Sequence, residues 1–165
     1  MKEPLVTTDV FHDPQSTPHN DAGEPRISYV VARLERALRR AINDRVSVYD
    51  VTVLQYTTLS VLGRRGELSN AQLSRRAYMS PQAMSEVIEA LERKGLITRN
   101  PHPNHRRVYP AALTARGKTV LEACDRLVDE MEADMLSELS TIEQQGLRHG
   151  LVTAVRALHA GLPDK

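Results

Sequence analysis

Gln82, Ala83, Ser85 and Glu86 fall in the first turns of an amphipathic segment from Pro81 to Lys94. Their types suit the edge of a nucleic-acid base. A glutamine amide can bond adenine at two atoms, an alanine methyl can lie against the thymine methyl, and a carboxylate can accept from cytosine N4. The other face of the segment, Met84, Val87, Ile88 and Leu91, is apolar and recurs at helical spacing, so it can anchor such a helix on a core. Cations crowd the same region. Between Val61 and Lys118 stand Arg64, Arg65, Arg75, Arg76, Arg93, Lys94, Arg99, Arg106, Arg107, Arg116 and Lys118, against only Glu67, Glu86, Glu89 and Glu92. That local balance of about +7 exceeds the +1 of the whole chain, and it supplies sequence-independent attraction for phosphates.

Such side chains must be held by defined elements. Ser80 is an N-cap and Pro81 occupies the first helical position, where a missing N–H costs nothing. Gly95 is a left-handed stop after Lys94. Upstream, Ser69-Asn70-Ala71-Gln72 is a capping box that opens a short helix to about Tyr78. Before it, Val53, Leu54, Leu59 and Leu62 mark a helix from about Asp50 to Leu62, with Gly63 and Gly66 at its end. Downstream, Leu96–Arg99 and Val108–Leu113 read as short strands around a turn-rich, basic stretch from Asn100 to Arg107. Arg106 and Arg107 would sit at the tip of this hairpin, where a long cation can enter a narrow minor groove. The competing reading is an internal ion pair. One of each is expected, with Arg106 the DNA contact.

The order helix, helix, short helix, capped helix, strand, basic turn, strand is that of a winged helix-turn-helix. The predicted fold is mainly α with a small β-hairpin wing, joined to a helical dimerisation region. The predicted DNA-contacting set is Ser69, Arg75, Arg76, Ser80, Gln82, Ala83, Ser85, Glu86, Asn104, Arg106 and Arg107.

Flanking helices complete the plan. Residues 1–25 carry four prolines and a charge of about −4, and read as a disordered arm. Residues 26–49 form a dimerisation helix whose apolar face runs through Ile27, Val30, Val31, Leu34, Leu38, Ala41 and Ile42. Residues 50–117 form the DNA-binding domain. Residues 118–165 return two more dimerisation helices, the first opened by a Thr114 cap and the second by the Ser140–Glu143 capping box. Val120, Leu121, Cys124, Leu127, Val128, Met131 and Met135 form one apolar stripe, and Leu147, Leu151, Val155 and Leu158 another. Together they exceed what one wing domain can cover, and a symmetric partner would cover the rest.

Several classes are excluded or disfavoured. The chain has 165 residues and one cysteine, so it can form no intramolecular disulfide and no zinc ribbon. A polar N-terminus and the lack of an apolar run near ~18 residues predict a cytoplasmic protein without a membrane span. No phosphate loop, nucleophile–base pair or acid pair is present, so neither an enzyme nor a cofactor is expected. Cys124 lies in an apolar stripe and reads as core rather than as a redox sensor. His102, His105, His149 and His159 show no helical ligand spacing, so no metal site is assigned.

The stretches Ser69–Arg76, Met79–Ser85, Leu91–Ile97, Arg106-Arg107 and Leu113–Gly117 resemble the MarR family of bacterial transcription regulators, in order and at family spacing. The resemblance covers about Ile27 to Leu158. It implies an obligate homodimer on double-stranded DNA, a repressor by default, and release by a small phenolic or anionic effector. Family geometry places that effector near Arg33, Tyr49 and Tyr56. The family's wing carries acidic residues just before the arginine pair, whereas this chain has His102, Asn104 and His105. Two readings stand as alternatives: a winged-helix protein-interaction module without DNA binding, and a zinc-responsive repressor.

Overall fold

The computed structural model describes residues 23–77, 79–101 and 109–159. Among these residues lie α1 (Ile27–Val46), a short 3-10 turn (Ser47–Tyr49), α2 (Val53–Arg65), α3 (Asn70–Ala77), α4 (Pro81–Arg93), β1 (Ile97–Arg99), β2 (Ala111–Leu113), α5 (Ala115–Met135) and α6 (Thr141–Ala157). The N-terminal arm up to residue 22 and the wing tip, residues 102–108, lie outside the described residues. The mainly helical fold with a β-hairpin matches the expectation.

Local signals explain most boundaries. Ser80 accepts from the Ala83 amide at 3.1 Å, Thr114 from Gly117 at 2.9 Å and Ser140 from Glu143 at 3.4 Å. At the end of α4, Gly95 is left-handed (φ 67°). Its amide bonds the Glu92 carbonyl at 2.9 Å, and the Leu96 amide bonds that of Leu91 at 3.0 Å. These paired bonds, with Leu91 and Leu96 both buried, make a Schellman cap.

Two boundaries differ from expectation. The second helix begins at Val53 rather than Asp50, because Thr52 and Gln55 form a capping box there. Asp50 instead closes the 3-10 turn in a left-handed conformation (φ 54°). Gly63 does not end α2 but lies inside it; Gly66 is the stop. Both strands are also shorter than expected. The Leu96 amide is committed to the helix cap, and Pro110 has no amide to donate. The register is Ile97 opposite Leu113, Thr98 opposite Ala112 and Arg99 opposite Ala111. Leu68 adds a bridge to Ala111 through two bonds of 3.1 and 2.8 Å, so the wing is also stitched to the start of the helix-turn-helix.

One apolar core unites these elements. Leu59 and Leu62 of α2, Leu73 of α3, Met84, Ile88 and Leu91 of α4, Ile97 of β1 and Leu121 of α5 are all buried in it. The expectation that the α5 stripe needs a partner is therefore corrected in part. Leu121, Cys124, Val128 and Met131 are buried within the single chain, while Met135 is exposed. The α6 stripe does stay open: Leu147, Leu151 and Leu158 are exposed, and α6 contains no buried residue.

Two glycines of different kinds allow the close packing. A Cβ on Gly63 would come 2.6 Å from Cδ2 of Leu121, a side-chain end that can move. A Cβ on Gly117 would fall 1.9 Å from the backbone oxygen of Leu96, which already accepts the Thr114 amide at 3.1 Å. Gly117→Ala is expected to destabilise the fold by about 1–3 kcal/mol, as overpacking does, because backbone cannot step aside. Gly63→Ala should cost less, since alanine also returns up to about 1 kcal/mol of helix propensity. Urea denaturation of both variants checks the order, and equal midpoints would refute the account.

Candidate nucleic-acid interface

The apolar face of α4 points inward, with Met84 and Leu91 fully buried. Helical geometry then turns the opposite face out. Gln82, Glu86, Glu89 and Arg93 are exposed and lie along one stripe of the helix, and Ala83 is half-buried beside them. Two of the candidate reading residues, Gln82 and Glu86, thus share an open surface.

Ser80 and Ser85 have other commitments. The Ser80 hydroxyl caps α4. The Ser85 hydroxyl donates to the Pro81 carbonyl at 3.0 Å and receives a bond from the Asn70 amide at 2.6 Å. Asn70 Nδ2 also donates to the Pro81 carbonyl at 3.2 Å, a pure acceptor that fixes which way the amide points. Asn70 was not among the sequence candidates. It ties the start of α3 to the start of α4, and its position just after the Ser69 cap was the available signal. Ser69 itself completes its capping box, with its amide bonding Gln72 Oε1 at 2.9 Å.

The cations divide into two groups. Arg75, Arg76, Arg93, Arg116 and Lys118 have exposed side chains. Arg99 and Lys94 are engaged internally. Arg99 Nε bonds Glu92 Oε2 at 3.0 Å, and its Nη2 reaches the same oxygen. This pair raises the arginine's pKa and joins the base of the wing to α4. Lys94 Nζ lies 3.2 Å from Asp50 Oδ2 and 3.2 Å from Gln55 Oε1. Asn104, Arg106 and Arg107, like His102 and His105, fall outside the described residues.

The residues expected around an effector each have a local setting of their own. Arg33 bonds the Tyr29 hydroxyl at 3.3 Å, one turn back in α1, with its guanidinium 5.8 Å from the ring centre. Tyr49 is exposed on the 3-10 turn. Tyr56 is tied across to α5, donating to Asp125 Oδ1 at 2.8 Å. Burial and that carboxylate push its pKa up. Tyr56 does line an open cleft of about 590 Å³ with Ser60, Arg64, Asp125, Asp129, Glu132 and Arg148. Among the described residues no group of three His, Cys, Asp or Glu side chains could hold a metal, and no helix is long and apolar enough to cross a membrane.

The sequence model of the MarR family matches residues 49–108, from the 3-10 turn through the wing. An uncharacterised HTH-type transcriptional regulator of Mycobacterium bovis is 30% identical over 122 residues, covering 74% of this chain and 82% of the relative. The chain belongs to the MarR family. It is a DNA-binding transcriptional regulator, and so stands outside the enzymes. An HTH-type transcriptional repressor of Mycobacterium tuberculosis is 29% identical over 130 residues, covering 79% of this chain and 94% of the relative. The fold agrees: apo MarR of E. coli superposes with a TM-score of 0.71 at 21% identity, over 80% of this chain and 98% of that one.

Within this MarR-family fold, Cys124 is fully buried and its thiol pKa is pushed up to about 11, by burial first and the Asp125 carboxylate second. At pH 8 only about one thiol in a thousand would then be thiolate, the nucleophilic form. Native protein is expected to resist iodoacetamide at pH 8 and to react at least ~100-fold faster in denaturant. Rapid native labelling would reopen the redox-sensor reading.

Proposed function

We propose that the chain is a homodimeric repressor acting on an inverted-repeat operator in duplex DNA, and that a small phenolic or anionic molecule releases it. One observation carries the DNA-binding part. The apolar face of α4 is sealed in the core, so Gln82, Glu86, Glu89 and Arg93 must face out, with exposed Arg75 and Arg76 nearby in sequence on α3. That is the arrangement a reading helix needs: polar groups for base edges and cations for phosphates.

The dimer is supported by the open stripe of α6, where Leu147 is 39%, Leu151 36% and Leu158 79% exposed. Residues 26–49 and 118–165 serve as the dimerisation region and residues 50–117 as the DNA-binding domain. A two-fold protein requires half-sites about one helical turn apart. Repression follows the M. tuberculosis relative, whose name describes a transcriptional repressor. The effector is proposed to lie near Arg33, Tyr49 and Tyr56, a reading supported by the open cleft at Tyr56, which Arg64 and Arg148 also line.

Division of labour at the interface is directly testable. Fluorescence anisotropy against a duplex from the chain's own upstream region, over a salt series, should give tight binding that weakens steeply with salt. Arg106→Ala should lower the salt slope by about one and weaken all duplexes alike. Gln82→Ala should leave the slope and change the preferred sequence. Equal losses for both variants on every duplex would overturn this division. Absence of binding at low salt would favour a protein-interaction module, and zinc-dependent binding would favour a metal-responsive repressor. Sedimentation should show twice the 18.5 kDa chain mass, and a monomer would remove the inverted-repeat operator.

A further inference from the structure

We infer that Lys94 is a positioning residue of the recognition helix and makes no phosphate contact; this rests on the DNA-binding reading above. By sequence it belongs to the basic patch, one of eleven cations between Val61 and Lys118. The geometry removes it. Lys94 follows the last turn of α4, and its ammonium reaches back to the turn that joins α1 to α2. There it donates to the Asp50 backbone oxygen and to Gln55 Oε1 at 3.2 Å, and it forms an ion pair with Asp50 Oδ2 at 3.2 Å. Two of the three N–H donors of the ammonium are thus spent on fixed oxygens, and its charge is paired with a carboxylate.

The acceptors are held ready for it. Asp50 is left-handed, with its amide bonded to the Ser47 oxygen at 2.9 Å. Gln55 is buried, and the same Oε1 accepts the Thr52 amide at 3.2 Å in the capping box of α2. One amide oxygen thus caps α2 and holds the end of α4. The Asp50 carboxylate is 88% exposed, so the ion pair contributes at most about 1 kcal/mol to stability. Its consequence lies in placement. Asn70 holds the first turn of α4 and Lys94 the last, so the reading stripe between them keeps one orientation.

A double-mutant cycle on binding separates placement from phosphate contact. The probes are a duplex that the wild-type chain selects from a random library and an unrelated duplex, each titrated over a salt series. Lys94→Met should weaken the selected duplex about tenfold, the scale of one misplaced base contact, and leave the unrelated duplex and the salt slope unchanged. Asp50→Gly keeps the left-handed backbone and deletes the carboxylate, and it should weaken the selected duplex less. The double variant should be no worse than Lys94→Met, and Lys94→Arg should restore most of the affinity. Thermal melts of all variants show whether each is folded at the assay temperature. A salt slope lowered by about one in Lys94→Met, or losses that multiply in the double variant, would mean a phosphate contact and overturn the inference. Equal losses on both duplexes would mean a general structural defect and would overturn it too. A wild-type chain that selects no duplex would sink the DNA-binding reading itself, a failure visible before any variant is made.

Discussion

The burial of one side of α4 is the constraint on which the remaining architecture depends. Met84, Ile88 and Leu91 are sealed among residues of α2, α3, β1 and α5. Each such side chain contributes about 1.5–3 kcal/mol through burial alone. Rotating α4 by even a third of a turn would bring Glu86 or Glu89 toward that core, and an unpaired buried carboxylate costs far more than a lost leucine contact. The polar stripe is therefore directed outward by what lies behind it. Capping sets where the helix starts and stops, and the core sets which way it faces.

Much of this was legible in the chain because the signals are local. Ser69, Ser80, Thr114 and Ser140 each precede a helix and each accept the bond their type predicts. Gly95 stops α4 as a left-handed residue. The limits of α2 were less legible. The helix expected from about Asp50 starts at Val53, because Thr52 with Gln55 three residues on forms the cap. Gly63 reads as a stop until the close approach of Leu121 is known.

The candidate site was legible in its residue types but not in its long-range bonds. Tyr56 meets Asp125 across 69 positions, Lys94 meets Asp50 across 44 and Asn70 meets Ser85 across 15. No periodicity encodes such pairs, because they depend on how helices cross rather than on how each is built. They also change the reading of individual residues. Ser85 is a candidate base contact by type, yet its only donor is spent on Pro81 and one lone pair on Asn70. Lys94 is a cation by composition, yet its charge is spent on Asp50.

Those corrections sharpen the electrostatics of the proposed interface. With Lys94 and Arg99 paired with Asp50 and Glu92, the exposed cations proposed to attract phosphate are, among the described residues, those on α3, Arg93 and those at the start of α5. The reading face itself carries Glu86 and Glu89, both exposed. Carboxylates facing a polyanion penalise every sequence, and the penalty is recovered only where a cytosine N4 donor meets the oxygen. Cations at the edges raise affinity for all DNA, while acids at the centre subtract from all DNA except the matching site. On the proposed reading, the same charge pattern that leaves the chain near neutral overall converts a general attraction for DNA into a difference between sites.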